Sequence, residues 1–357
     1  MLKAELKIRN LPELLTFANG EKVENIADWK KRREELLRDL QSELYGKLPE
    51  APKDIRFETE SCEETFCAGK ADLKKVNITC VLENGSHTFP VYCTIPHKKA
   101  KTTFVLINFR DPVPDRYLPA EELVDNDCAV FSFCYNDVTS DDDNFSNGLA
   151  EILFPNGRTK SDDAGKIAMW AWAAMRVMDY IQTLDFIDKE RIVVIGHSRL
   201  GKTALFTGAM DKRFMSAASN DSGCCGAAII RGKTGEMLPD IYNQFSYWFC
   251  PKFKEYALEN KQFSFDQHAL LAALAPRKLC VASAEEDSWA DPKSEYLSCV
   301  AASEVYKLYG LKGLVHENEY PKAPIALHKG EIGYHIRKGL HYFSRTDWLY
   351  YLEYYNS

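Results

Sequence analysis

The sequence predicts an α/β fold: a mostly parallel central sheet with helices on both faces and an antiparallel hairpin near its start. Three observations point there. Short, nearly continuous apolar runs recur from residue 103 onward, separated by helical stretches. Such runs are the mark of strands covered on both faces. Residues 75–96 alternate in strand fashion about an Asn84-Gly85 turn, which reads as a hairpin. Finally, Gly196-His197-Ser198-Arg199-Leu200-Gly201-Lys202-Thr203 sits between an apolar run and a helix-like run, the setting of a sharp strand-to-helix bend.

Taken in order, residues 1–60 read as a polar helical lead-in, clearest over Trp29 to Leu44, where Lys, Arg, Glu and Leu fall at helical spacing. The hairpin pairs the alternating Val76, Ile78 and Cys80 with Phe89, Val91 and Cys93. Expected strands then cover 103–109, 129–134, 191–195, 215–219, 279–284 and 314–319. Expected helices cover 120–125, 164–184, 202–210, 267–274, 295–309 and 346–355. There is no internal repeat, low-complexity tract or Pro/Gly-rich linker. The expected organisation is a lead-in over 1–70 packed on one catalytic domain over 71–357.

Composition narrows the function. A chain of 357 residues with 45% hydrophobic content can bury one large core. A net charge of -7 argues against a nucleic-acid partner, which calls for a basic face. No apolar run is long enough to span a bilayer, so no membrane partner is expected. The start, Met1 to Lys7, lacks the apolar stretch of a secretory signal, and a cytoplasmic location is the expectation. The 11 cysteines are odd in number and several fall inside apolar strands. None has C-x-x-C spacing. Reduced, buried thiols are expected, with no metal and no cofactor.

The bend at Ser198 has two readings. Gly196 to Thr203 fits G-x-x-x-x-G-K-[ST], a phosphate-binding loop. His197, Arg199 and Leu200 are bulky for a loop that must cradle phosphates with backbone N–H groups. The bend also follows several strands rather than the first. The other reading is a nucleophile elbow, with Ser198 exposed on a strained turn. There the usual G-x-S-x-G is broken, because Leu200 stands where a glycine belongs and Gly201 comes one residue later.

Resemblance bears on the choice. Gly196-x-Ser198-Arg199-x-Gly201-Lys202 resembles the G-x-S-R-x-G-K elbow of glucuronoyl esterases, carbohydrate esterase family 15, and of bacterial proteins labelled acetylxylan esterases. Asp221-Ser222-Gly223-Cys224-Cys225-Gly226 resembles the family's acidic-Ser-Gly-x-Gly-Gly segment, with Cys225 replacing a glycine. Trp248-Phe249-Cys250, Asp266-Gln267-His268, Ala275-Pro276-Arg277, Trp289-Ala290-Asp291-Pro292 and Gly339-x-His341 through Asp347-Trp348 also look similar, so the likeness covers roughly 100–355. It implies an α/β-hydrolase acting on a small carbohydrate ester or oligosaccharide. A uronic-acid ester is expected first and an acetylated sugar second.

Site candidates follow. Ser198 is the expected nucleophile. This fold orders its triad Ser, acid, His, so the base is sought late in the chain, at His341 or His335. The likeness favours His341. The acid is Asp287, in the cluster Glu285, Glu286, Asp287 and Asp291 after a late strand, or Asp221 after the preceding one; Asp291 can instead cap the turn before Pro292. The resemblance implies that Arg199 offers its backbone N–H and guanidinium to an oxyanion. It also implies sugar contacts from Lys202, Gln244 and Trp289, with Glu236 as the candidate for a pocket glutamate. Trp248, between Tyr247 and Phe249, reads as core.

Overall fold

A computed structural model describes residues 2–356. Ten strands form one sheet in the order β1-β2-β3-β5-β4-β6-β7-β8-β10-β9. The first three are β1 (Asp54–Thr65), β2 (Ala71–Leu82) and β3 (Gly85–Pro96), all antiparallel. A parallel block follows: β4 (Thr102–Asn108), β5 (Cys128–Cys134), β6 (Ile192–His197), β7 (Ser216–Asn220), β8 (Lys278–Ala284) and β10 (Ile332–Arg337). The short β9 (Ile325–Leu327) closes the edge antiparallel to β10.

Every residue of β4, β5, β6 and β7 is buried, as continuous apolar runs require. Alternate side chains feed two cores. Val105, Phe131, Val194 and Leu279 face the helices Ile26–Leu40, Lys166–Gln182, Arg199–Met210 and Pro292–Leu308. Phe104, Val130, Val193 and Ala282 face Trp348, Tyr351 and Tyr355 of the final helix, Arg345–Asn356.

Three expectations change. Residues 54–65, placed in a helical lead-in, form β1 and pair with β2 across residue 70. Its side chains are mostly exposed and half of them are charged, so only Ile55 and Phe57 signal the inner face; Phe57 packs on Tyr180 at 5.0 Å. An edge strand rich in charge hides its period. Residues 314–319 make no strand: Leu314 forms a single bridge to Ile332, after which polar His316, Glu317 and Asn318 leave nothing to bury. The hairpin turn is Glu83-Asn84, one residue earlier than expected.

Candidate active site

The bend after β6 is built by exclusion of side chains. Ser198 has φ 56 and ψ -126, a region that a non-glycine residue rarely occupies. Its N–H donates to Asn220 O at 2.8 Å, and its carbonyl accepts Gly201 N at 2.9 Å and Lys202 N at 3.1 Å. These bonds fasten the bend to the end of β7 and start the helix Arg199–Met210. A Cβ on Gly196 would run into the Leu200 carbonyl, so strand and helix could not approach. A Cβ on Gly201 would stand 3.0 Å from Ser219 Oγ and Ser222 Cβ. The second small residue is needed where the helix crosses β7, at position 201. Leu200 points into the core, fully buried. That explains the departure from G-x-S-x-G.

The β8 and β10 loops leave the same sheet edge because the two strands are parallel neighbours. They are laced together. Glu285 N donates to Arg337 O at 2.8 Å, and Glu286 N to Gly339 O at 3.0 Å. This brings Asp287 against His341, with Nδ1 of the ring 2.6 Å from Asp287 Oδ2. Burial works to raise the Asp287 pKa, but the His341 hydrogen bond and its charge outweigh it and hold the carboxyl below its ordinary value.

Asp221 does not bond His341. Its Oδ1 accepts Ala284 N at 2.7 Å and its Oδ2 faces Arg337 Nη2 at 3.4 Å. Of the two expected acids it is Asp287 that bonds the ring; fixed by β8 and by Arg337, Asp221 lies beneath the site. Burial, followed by Glu295 and Asp347, raises its pKa well above the ordinary range. Carboxylate oxygens of Asp221 and Asp287 and a nitrogen of His341 lie within 4.8 Å of one another. The Asp287–His341 bond and the Arg337 guanidinium already satisfy them, so the trio is a poor cation cage. His335 lies on β10, fully buried, with Nε2 3.3 Å from Asp347. Asp291 caps the helix Pro292–Leu308 by accepting Ser294 N at 3.1 Å.

His197 is a neighbour that no local pattern singles out. It ends β6, is buried, and places Nδ1 2.7 Å from Asn220 Oδ1. Its ring centroid lies 4.5 Å from that of His341. Burial first, then His341, lowers its pKa to about 3, so it stays neutral beside a base that must gain a proton.

Arg199 ion-pairs through Nη1 with Asp141 and lies 4.6 Å over the Trp248 ring. Asp141 also accepts Trp248 Nε1 at 2.7 Å and Tyr135 Oη at 2.8 Å. Trp248 is therefore more than core: it braces the arginine from two sides, and Phe245 stacks on it at 3.9 Å. Asp141 lies in an Asp-Asp-Asp run inside a polar loop, where nothing local marks one carboxylate above its neighbours. Gln244, exposed, precedes Phe245 near the end of the helix Leu238–Phe245. Trp289, 51% exposed, follows Asp287 by two residues, and its carbonyl accepts the N–H of the buried Glu236 at 2.9 Å. Lys202 is buried and donates from Nζ to Ser222 O at 2.5 Å. A phosphate-binding lysine would have to leave that carbonyl, which weighs against the phosphate-loop reading.

The family model described as "Glucuronyl esterase, fungi" matches residues 78–310. The chain belongs to the glucuronoyl esterase family. A carbohydrate esterase from an unknown prokaryotic organism is 31% identical over 99% of this chain and 90% of its own length. A solved glucuronoyl esterase from Solibacter usitatus superposes with a TM-score of 0.88 at 31% identity, covering 97% of each chain. A 4-O-methyl-glucuronoyl methylesterase from Podospora anserina is 27% identical over 80% of this chain, which spans 57% of that longer protein. The chain is thus a carbohydrate esterase, a hydrolase of carboxylic esters on the α/β-hydrolase fold.

Proposed function

We propose that this esterase cleaves carboxylic esters of glucuronic acid on plant cell-wall fragments, using Ser198, His341 and Asp287 as its triad. The observation that carries this reading is the buried Asp287 bonded to His341 Nδ1, with the imidazole against His197, the residue next to Ser198 on its strained bend. Because Nδ1 is held, the other ring nitrogen is the one that accepts a proton. Ser198 Oγ attacks the ester carbonyl and its proton passes to His341. Asp287 steadies the imidazolium. Arg199 offers its backbone N–H, free of an intrahelical partner in the first turn, and the arm of the guanidinium not engaged by Asp141. The alcohol leaves with the proton from His341. Water then enters by the reverse route and releases the uronic acid.

The sugar faces Gln244 and Trp289 in this reading, while Lys202 supports the floor from beneath the 221–226 loop. Hydrolysis of benzyl glucuronate, compared with an acetylated sugar and with the Ser198→Ala variant, tests it. Turnover of the glucuronate that disappears in Ser198→Ala supports it. Turnover of acetate esters alone would transfer the activity to sugar acetates. Absence of labelling by a fluorophosphonate would leave only a sugar-binding relative.

A further inference from the structure

We propose that Cys280, His328 and His335 form a site for a thiophilic divalent transition-metal ion such as Zn2+, on the face of the sheet beneath the final helix. Two come from neighbouring strands and the third from the residue that follows β9. Cys280 on β8 pairs in register with Gly333 on β10, and His335 lies two residues further along the same face. Leu327 pairs with Tyr334, so His328, the next residue, stands across from Gly333 on the other side. Gly333 lies between a thiol and an imidazole and adds no side chain of its own; a Cβ there would stand 3.0 Å from the Tyr354 ring. One ligand atom from each of Cys280, His328 and His335 lies within 4.8 Å of the others.

The second observation is polar atoms left without partners. His335 is fully buried, yet its Nδ1 has no hydrogen bond. The His328 side chain is 9% exposed, and neither of its ring nitrogens has one. Buried imidazole nitrogens are ordinarily paired, so such orphans call for a ligand. Each ring also has a carboxylate behind it, both from the final helix. Asp347 Oδ1 is 3.3 Å from His335 Nε2, and Glu353 Oε1 is 3.7 Å from His328 Nδ1. A carboxylate that takes the proton on one nitrogen leaves the other bare, the usual outer support of a metal-bound histidine.

One thiolate and two neutral imidazoles suit zinc or cobalt and do not suit calcium or magnesium, which take oxygen. Binding expels the Cys280 thiol proton, forms one metal–sulfur and two metal–nitrogen bonds, and leaves a fourth position for water. Tyr350 and Tyr351 close over His335, with ring centroids at 4.8 and 4.9 Å, so the role is structural. The ion would pin β9 and the final helix to β10, the strand that leads to His341. This site stands independently of the esterase reading.

The test uses the whole chain, stripped with a chelator and titrated with Co2+ and then Zn2+. The expected result is one Co2+ per chain with a thiolate-to-cobalt charge-transfer band, displaced by Zn2+, and a higher Tm with metal. Cys280→Ser should abolish the band. Glu353→Gln, at an exposed position, should weaken binding by about 10- to 100-fold and leave the metal-free Tm unchanged. His328→Gln should weaken it at least as much and carries the test if Cys280→Ser does not fold. Absence of stoichiometric binding overturns the proposal. So does a band that persists in Cys280→Ser, which would assign the metal to another of the 11 cysteines, or one that His328→Gln leaves untouched.

Discussion

Replacing Asp287 and Asp221 by asparagine, one at a time, separates the two carboxylates that stand near the base. Asp287 is 2.6 Å from His341 Nδ1, which puts the charge centres about 4 Å apart. At an effective dielectric of about 20 that pair is worth about 4 kcal/mol when the ring is protonated. The His341 side chain is 43% exposed, and screening cuts the figure to about 2–3 kcal/mol. This stabilisation appears only when the imidazolium forms, so it belongs to kcat. At 1.36 kcal/mol for each factor of ten, Asp287→Asn should lower kcat by about 30- to 150-fold with little change in KM. Asp221→Asn removes no contact to the ring. Its cost falls on the Ala284 and Arg337 bonds, so it should lower Tm and reduce kcat only a few-fold. The assay is steady-state hydrolysis of benzyl glucuronate beside thermal unfolding of each variant. An Asp221→Asn enzyme with intact Tm and a kcat as low as that of Asp287→Asn would refute the reasoning, as would Asp287→Asn within a few-fold of wild type.

Three further outcomes are expected. Ser198→Gly should abolish turnover yet raise stability by about 1 kcal/mol, because glycine tolerates φ 56 without strain; unfolding in urea measures it. Arg199→Ala should lower kcat by about 100-fold, the usual loss of an oxyanion donor, and Asp141→Asn by less, since the guanidinium keeps its seat on Trp248. Burial pushes the Glu295 carboxyl up to about 7 from an ordinary 4.5. The folded chain holds that proton more tightly than the unfolded one. The group's contribution is full below about pH 4.5 and is lost as pH rises through 7, a swing of about 3 kcal/mol. Glu295→Gln removes the swing, so its stability relative to wild type should improve between pH 5 and 8. A flat difference in that window would place the proton elsewhere.

Much of the molecule can be read locally. A strand buried on both faces favours apolar or small residues, and β4 to β8 show such runs within a residue or two of their observed ends. The elbow is legible because Gly196, Ser198 and Gly201 each answer a contact made by the bend itself. Chain order narrows the base to His335 or His341, and the family likeness favours the second. β1 is not legible, because an exposed edge strand can be charged on half of its residues, as this one is, and still pair. The brace of Arg199 is hidden for a different reason: Asp141 is one of three adjacent aspartates, and only the packing of its loop against Trp248 selects it.

The sequence by itself determined the parallel strands from β4 to β8 and the helices between them, the sharp bend and the serine at its tip, since hydrophobic period and glycine sterics act over a few residues. Which acid meets His341, that His197 lies against that base, and that Cys280 shares a pocket with two histidines were decided only by tertiary structure. Those contacts are set by strand register and by hydrogen bonds between loops dozens of residues apart. No local pattern encodes which of several chemically equal carboxylates or thiols a neighbouring strand will face.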